Sequence, residues 1–150
     1  MKSIVIMGIG NLLFSDEGIG VHVARELMKR DLPENIKVYD AGTLGILSAP
    51  LFEGSDLLIL IDAVDAPGKA GEVKIYSKDE IMLSNIPLKL TPHQIGIQET
   101  LLVSEMRGVA PKEVIFFGAI PKNYDTSDKL TPDGEKAKEK ILAELEKYLV

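Results

Sequence analysis

The chain has no cysteine and no tryptophan, and only two histidines, four tyrosines and four phenylalanines among 150 residues. Without cysteine there are no disulfides, thiolate nucleophiles or sulfur ligands, so a metal site must be built from oxygen and nitrogen. Positive charge is scarce as well. Lysine and arginine number 17 against 23 aspartates and glutamates, a formal charge of −6. That balance argues against nucleic acid or an anionic membrane as a partner, because both require a basic surface. Long hydrophobic runs are missing: the longest, Leu57 to Ile61, falls far short of the roughly 20 residues a helix needs to span a bilayer. Met1-Lys2-Ser3 leads straight into an apolar run, with no room for a cleavable signal, so a cytoplasmic location is expected. What remains, 45% hydrophobic and 27% charged residues, is a globular composition, and residues 1–150 are expected to form one domain.

The chain is organised around Met7-Gly8-Ile9-Gly10-Asn11-Leu12-Leu13-Phe14-Ser15-Asp16-Glu17-Gly18-Ile19-Gly20. The apolar run Ser3 to Met7 leads in as a buried strand and an amphipathic segment leads out, so this is a strand-to-helix crossover, where open parallel sheets place ligands. A phosphate-binding crossover presents bare N–H groups and the positive end of a helix dipole. Here two carboxylates, Asp16 and Glu17, occupy the helix start, which points to a cation instead. No stabilising purpose for the glycines is visible in the sequence.

Taken in order, the spacing predicts a helix over 16–30 with Ser15 as its N-cap, Gly20, Val23, Ala24, Leu27 and Met28 inward, and His22, Arg25, Glu26 and Lys29 outward. A short strand, Ile36 to Tyr39, ends at the loop Asp40-Ala41-Gly42-Thr43, and a short helix follows to Phe52. Asp56 to Asp62 reads as a central strand buried on both faces. Glu72 to Tyr76 follows too soon for a crossover and is expected to be an antiparallel edge strand. Residues 78–89 read as irregular, with about one helical turn. Thr91-Pro92-His93-Gln94 and Thr131-Pro132-Asp133 open two helices, each with a threonine cap and proline at the first helical position. The first of them carries apolar residues on more than one side, as a helix that is sandwiched or meets a partner does. Val114 to Ile120 is the fifth strand, and Ala137, Ile141, Leu142, Leu145 and Leu149 form the core face of the last helix. The expected architecture is α/β, a three-layer αβα sandwich whose sheet of about five strands is mainly parallel with one antiparallel edge strand.

Three side chains are candidates for chemistry. Glu17 would lie in a first helical turn, where the dipole favours its ionised form. Asp62 ends a buried strand, where a carboxylate must be paired, hydrogen-bonded or on a cation. His93 would sit at a helix start, where the dipole disfavours imidazolium and favours the neutral, metal-binding ring. Two acids and one imidazole leave coordination positions open for water or substrate. Asp40, Gly42, Asn11 and Asp16 are candidates for supporting or substrate contacts, although Asp40 is equally suited to holding the Ala41-Gly42 turn. Asp65 lies further into its loop and is a weaker candidate than Asp62. There is no Gly-x-Ser-x-Gly elbow for a serine mechanism.

These motifs resemble those of the hydrogenase maturation endopeptidases: Gly8-Ile9-Gly10-Asn11-Leu12-Leu13, Asp16-Glu17-Gly18-Ile19-Gly20, Asp40-Ala41-Gly42-Thr43, Asp62-Ala63 and Pro92-His93-Gln94, in family order. Ala41 replaces a glycine of the family's Asp-Gly-Gly-Thr. The resemblance implies an endopeptidase that removes a C-terminal extension from the precursor of a nickel-iron hydrogenase large subunit after nickel insertion. It places the metal and catalytic roles on Glu17, Asp62 and His93, with nickel supplied by the substrate and no organic cofactor. The metal would polarise the scissile carbonyl or acidify a water, or Glu17 or Asp62 would act as base. A monomer acting on a larger partner is expected. Two rival readings are a dinucleotide-binding module and a non-catalytic nickel chaperone. Against the first, Leu13 stands where the third glycine of Gly-x-Gly-x-x-Gly belongs, and Asp16-Glu17 would repel a pyrophosphate.

Overall fold

A computed structural model describes residues 1–42, 44–82 and 92–149, the side chains of 45, 46 and 92–97 excepted. Five strands form one sheet in the order β2-β1-β3-β5-β4: β1 Ile4–Ile9, β2 Ile36–Gly42, β3 Leu57–Ala63, β4 Val73–Ser77 and β5 Glu113–Ala119. All neighbours are parallel except β4, which runs antiparallel to β5 at the edge, as its short connection to β3 requires. The helices are α1 Ile19–Met28, α2 Ala49–Phe52, α3 Lys78–Met82, α4 Pro92–Met106 and α5 Pro132–Leu145, with 3-10 turns at Ser15–Gly18, Gly45–Ser48 and Glu146–Tyr148.

Strand alternation splits the core into two layers. Ile4 and Ile6 of β1, with Leu57, Ile59 and Ile61 of β3, face Val23 and Leu27 of α1 and Ile141 and Leu145 of α5. Val5, Met7, Leu58 and Leu60 face the other way, with Phe52, Ile81 and Leu101 from α2, α3 and α4. Each such side chain contributes about 1.5–3 kcal/mol through burial. The two layers realise the expected α/β sandwich, and the whole predicted core face of α5 is buried.

Several local expectations are corrected. Strand β2 runs on to Gly42, because Asp40 pairs with Gly8 and Gly42 with Ile9 across a register shift that leaves Ala41 as the extra residue. Met28 is exposed, whereas Ile19 and Val21 are buried. The glycines of the crossover do have a structural purpose: a Cβ on Gly8 would stand 2.0 Å from the carbonyl oxygen of Gly20, and one on Gly20 would stand 2.1 Å from that of Ile61. Their bare backbones let α1 lie directly on β1 and β3, a close approach that only glycine permits.

The expected cap at Ser15 is absent too. The helix start is the 3-10 turn Ser15–Gly18, whose N-cap is Phe14 with no side-chain hydrogen bond. Ser15 itself has φ +49° and donates its hydroxyl to the Lys129 carbonyl at 3.1 Å. The long segment between β5 and α5 therefore folds back over the crossover. Phe14 and Ser127 form an isolated parallel bridge, closed by Ser15 N donating to Ser127 O at 2.8 Å and Ser127 N to Leu13 O at 2.9 Å.

Candidate active site

The chain crosses from one half of the sheet to the other between β1 and β3, since β2 lies on one side of β1 and β3 on the other. Open α/β sheets bind ligands at the strand ends of such a switch point. Gly10 stands there, between the backbone of Glu17 and the carboxylate of Asp62. Gly10, with φ +131°, ends β1, and its N–H donates to the Gly42 carbonyl at 2.9 Å. A Cβ at Gly10 would be 2.0 Å from the Glu17 carbonyl oxygen and 3.4 Å from Asp62 Oδ1, so both residues border the same small space. Asp62 is 1% exposed, and its Oδ1 accepts a hydrogen bond from Ala63 N at 2.7 Å. Glu17 is half-buried in the 3-10 turn.

Tyr124, absent from the sequence-based candidates, lies in the segment that folds back over this edge. Burial pushes its phenol up to about 12, and Asp65, Glu17, Asp62 and Asp16 push the same way. All four acids therefore act on one hydroxyl, which stays a neutral donor at physiological pH. Nothing local in the sequence marks Tyr124, since the groups around it come from residues 16, 17, 62 and 65.

Asp16 is turned inward, 2% exposed. Its carboxylate accepts from Lys122 N at 2.8 Å, Thr131 N at 2.9 Å and Thr131 Oγ1 at 2.7 Å. Thr131 in turn caps α5 by accepting from Gly134 N at 3.1 Å. This engagement ties the crossover to the last helix, a supporting contact of the kind expected for Asp16 as one of two alternatives. Asp40, Gly42 and Asn11 border a shallow groove of about 230 Å³ beside Gly10. Asp40 is held there by Arg25 Nε at 3.0 Å, and the Asn11 side chain accepts from Leu13 N at 3.0 Å. A larger groove of about 470 Å³ runs past Tyr76, Lys78 and Tyr148 and holds none of the candidate residues.

Residue 93 falls in the first turn of α4; its side chain, like the proposed Thr91 cap, lies outside the described residues. Among the described residues no three histidine, aspartate or glutamate side chains are close enough to hold a metal ion. The pair at the switch point thus offers part of an oxygen donor set. The other histidine, His22, was expected on the polar face of α1. It is instead half-buried toward α5, with Nε2 buried and without a hydrogen-bond partner. Burial, then Lys138, lowers its pKa from 6.5.

Comparison with known proteins identifies relatives of the whole chain. The family model described as HycI, hydrogenase maturation protease, matches residues 21–148. The hydrogenase 2 maturation protease of Escherichia coli is 32% identical over 147 residues, covering 95% of this chain and 90% of the relative. The solved hydrogenase maturating endopeptidase HybD from E. coli superposes with a TM-score of 0.85 at 32% identity, covering 97% of this chain and 93% of that one. The [NiFe] hydrogenase maturation protease HybD from Thermococcus kodakarensis, 25% identical, gives 0.79 over 99% of both chains. Likeness of sequence and fold over nearly the full length, with the acids gathered at the sheet's switch point, makes this chain a member of the hydrogenase maturation protease family and an endopeptidase.

Proposed function

We propose that this chain removes the C-terminal extension of a nickel-iron hydrogenase large-subunit precursor once nickel has been inserted. In this reading Glu17, Asp62 and His93 recognise the nickel carried by the substrate, and the protein needs no organic cofactor. The observation that carries the reading is that the charges of Glu17 and Asp62, from separate elements at the crossover, both act on the one buried Tyr124 hydroxyl. Carboxylate oxygen and imidazole nitrogen are ligands that nickel accepts.

Hydrolysis adds a water across the peptide bond. Its oxygen bonds to the carbonyl carbon, the C–N bond breaks, and the departing amine takes up a proton. A carboxylate at the switch point takes the water's proton and returns it to the amine, and the neutral Tyr124 hydroxyl donates a hydrogen bond into the same space. Asp40, Gly42 and Asn11 line the groove that receives the peptide. We place the protein in the cytoplasm, acting as a monomer on a protein partner, without nucleic acid or membrane. Among the described residues no helix is long and apolar enough to cross a membrane.

The test is to incubate the protein with nickel-loaded and nickel-free precursor side by side and weigh the products by mass spectrometry. Shortening of the loaded precursor alone is expected. Equal shortening of both would remove nickel recognition from the reading, and shortening of neither would overturn the reading itself. Micromolar binding of a nicotinamide or flavin nucleotide would favour the dinucleotide alternative.

A further inference from the structure

The two long helices meet solvent in different ways. The outer positions of α5 are Glu135, Lys136, Glu139, Lys140 and Glu144, all exposed, the ordinary polar face of a surface helix. Helix α4 buries Thr100, Leu101 and Ser104, yet its outer face carries exposed Leu102, Val103 and Met106, the last 80% exposed. The 3-10 turn Gly45–Ser48 packs against α4 and adds Leu47, 72% exposed, next to exposed Leu44. Clustered apolar side chains on a surface mark an interaction site, whereas single ones do not.

The patch begins beside the groove at the switch point. Leu44 lies two residues beyond Gly42, which lines that groove, and its N–H donates to the Ala41 carbonyl at 3.0 Å; residue 93 stands in the first turn of the helix whose later turns carry Leu102, Val103 and Met106. From 92 to 106 the helix extends about 20 Å. An extended tail lying in the cleft would not reach its far end, but the folded body from which that tail emerges would. A second copy of this chain fits less well: seated here, it would cover exposed Leu44, two residues beyond the groove-lining Gly42, and hinder a polypeptide from reaching that groove.

We propose that the outer face of α4 and the adjoining turn form the docking surface for the folded body of the protein substrate, holding it while its tail enters the cleft. This rests on the reading of the chain as a processing endopeptidase of a large precursor. Binding energy made at a distance from the reacting bond, and equal in ground and transition states, appears in KM rather than in kcat.

The experiment compares wild type with Leu47→Glu/Met106→Glu, using Met28→Glu, an exposed apolar site on α1, as the control for added charge. Processing kinetics and direct binding of nickel-loaded precursor are measured, together with sedimentation of each protein alone. The double variant is expected to raise KM and weaken binding about tenfold or more with kcat nearly unchanged, as loss of exposed interface anchors does, while Met28→Glu stays at wild type. An unchanged KM in the double variant would overturn the proposal. So would a wild-type dimer that the double variant splits with no effect on processing, which would assign the patch to self-association. If the wild type binds precursor without cutting it and the double variant does not bind, docking stands and the endopeptidase reading falls. If the wild type neither binds nor cuts, both fall.

Discussion

Asp16 and Glu17 are neighbours with the same charge in the same 3-10 turn, and the fold gives them opposite work. Successive residues of such a turn point about 120° apart. Asp16 faces inward, where its carboxylate gathers backbone N–H groups from residues 122 and 131 and the hydroxyl of Thr131. Glu17 is half-buried, and its charge acts with those of Asp65 and Asp62 on the Tyr124 hydroxyl. The anchoring region takes in α5 and His22; the open region takes in Asp62, Asp65 and Tyr124. The difference teaches that acids concentrated at one strand end are not one site. One acid of the pair holds a distant segment in place, and the role proposed for the other is to meet substrate.

The comparison is broken most directly by exchanging the two phenotypes. Glu17→Gln and Asp62→Asn are each expected to slow precursor processing at least about a hundredfold, the scale for losing a catalytic acid–base or ligand group. Urea unfolding of Glu17→Gln is expected to match wild type, since the amide preserves shape at a half-buried position. Asp16→Ala is expected to do the reverse. It strands two backbone N–H groups and the Thr131 hydroxyl in a buried place, and with hydrogen bonds to a charged acceptor worth about 1.5–3 kcal/mol each before relaxation, a total loss of about 3 kcal/mol in unfolding free energy is the reasonable figure. Loss of stability in Glu17→Gln with normal stability in Asp16→Ala would reverse the assignment.

Much of this was legible in the sequence, and the remainder follows a physical rule. The uninterrupted Leu57 to Ile61 run, the quick return into Val73–Ser77, and the periodicity of Ala137, Ile141, Leu142 and Leu145 are local signals, and each sits where expected. The Thr131 cap is equally local and equally present. Ser15 failed as a cap because its backbone and hydroxyl bond to Ser127 and Lys129, which no window around residue 15 contains. Tyr124 and the inward turn of Asp16 were hidden for the same reason: the acids around Tyr124 come from residues 16, 17, 62 and 65, and the donors to Asp16 from residues 122 and 131, all far away in the chain. Gly8 and Gly20 were visible as glycines, but their purpose is the distance between a helix and two strands.

A smaller effect separates the anchoring region by pH. His22 is held neutral in the folded protein by burial first, then by Lys138 and Arg25, against the opposing pull of Glu135 and Asp128. Because its folded pKa lies below the ordinary 6.5, the unfolded chain takes up the proton first as pH falls. The stabilisation is therefore complete above pH 6.5 and is lost as pH drops from there through the lowered folded value. His22→Phe removes this proton linkage, so the difference in urea stability between about pH 7.5 and about pH 5 is expected to shrink relative to wild type. An undiminished difference would place the acid sensitivity elsewhere.

The finest test lies on the open side. Tyr124 has its phenol raised to about 12, by burial first and then by Asp65, Glu17, Asp62 and Asp16 in decreasing order. The folded state prefers the neutral phenol, so its contribution holds below pH 10 and is lost as pH rises toward 12. Ultraviolet titration of the folded protein should show one phenolate appearing near the top of the range and missing from Tyr124→Phe. In Glu17→Gln that late transition should move down, because a nearby negative charge no longer opposes the phenolate. In Asp16→Asn it should move less, since Asp16 acts on Tyr124 more weakly and is already surrounded by donors. Equal shifts in the two variants would mean that the phenol senses both carboxylates alike, and the division between an inward anchor and an outward acid would not extend to the electrostatics of the cleft.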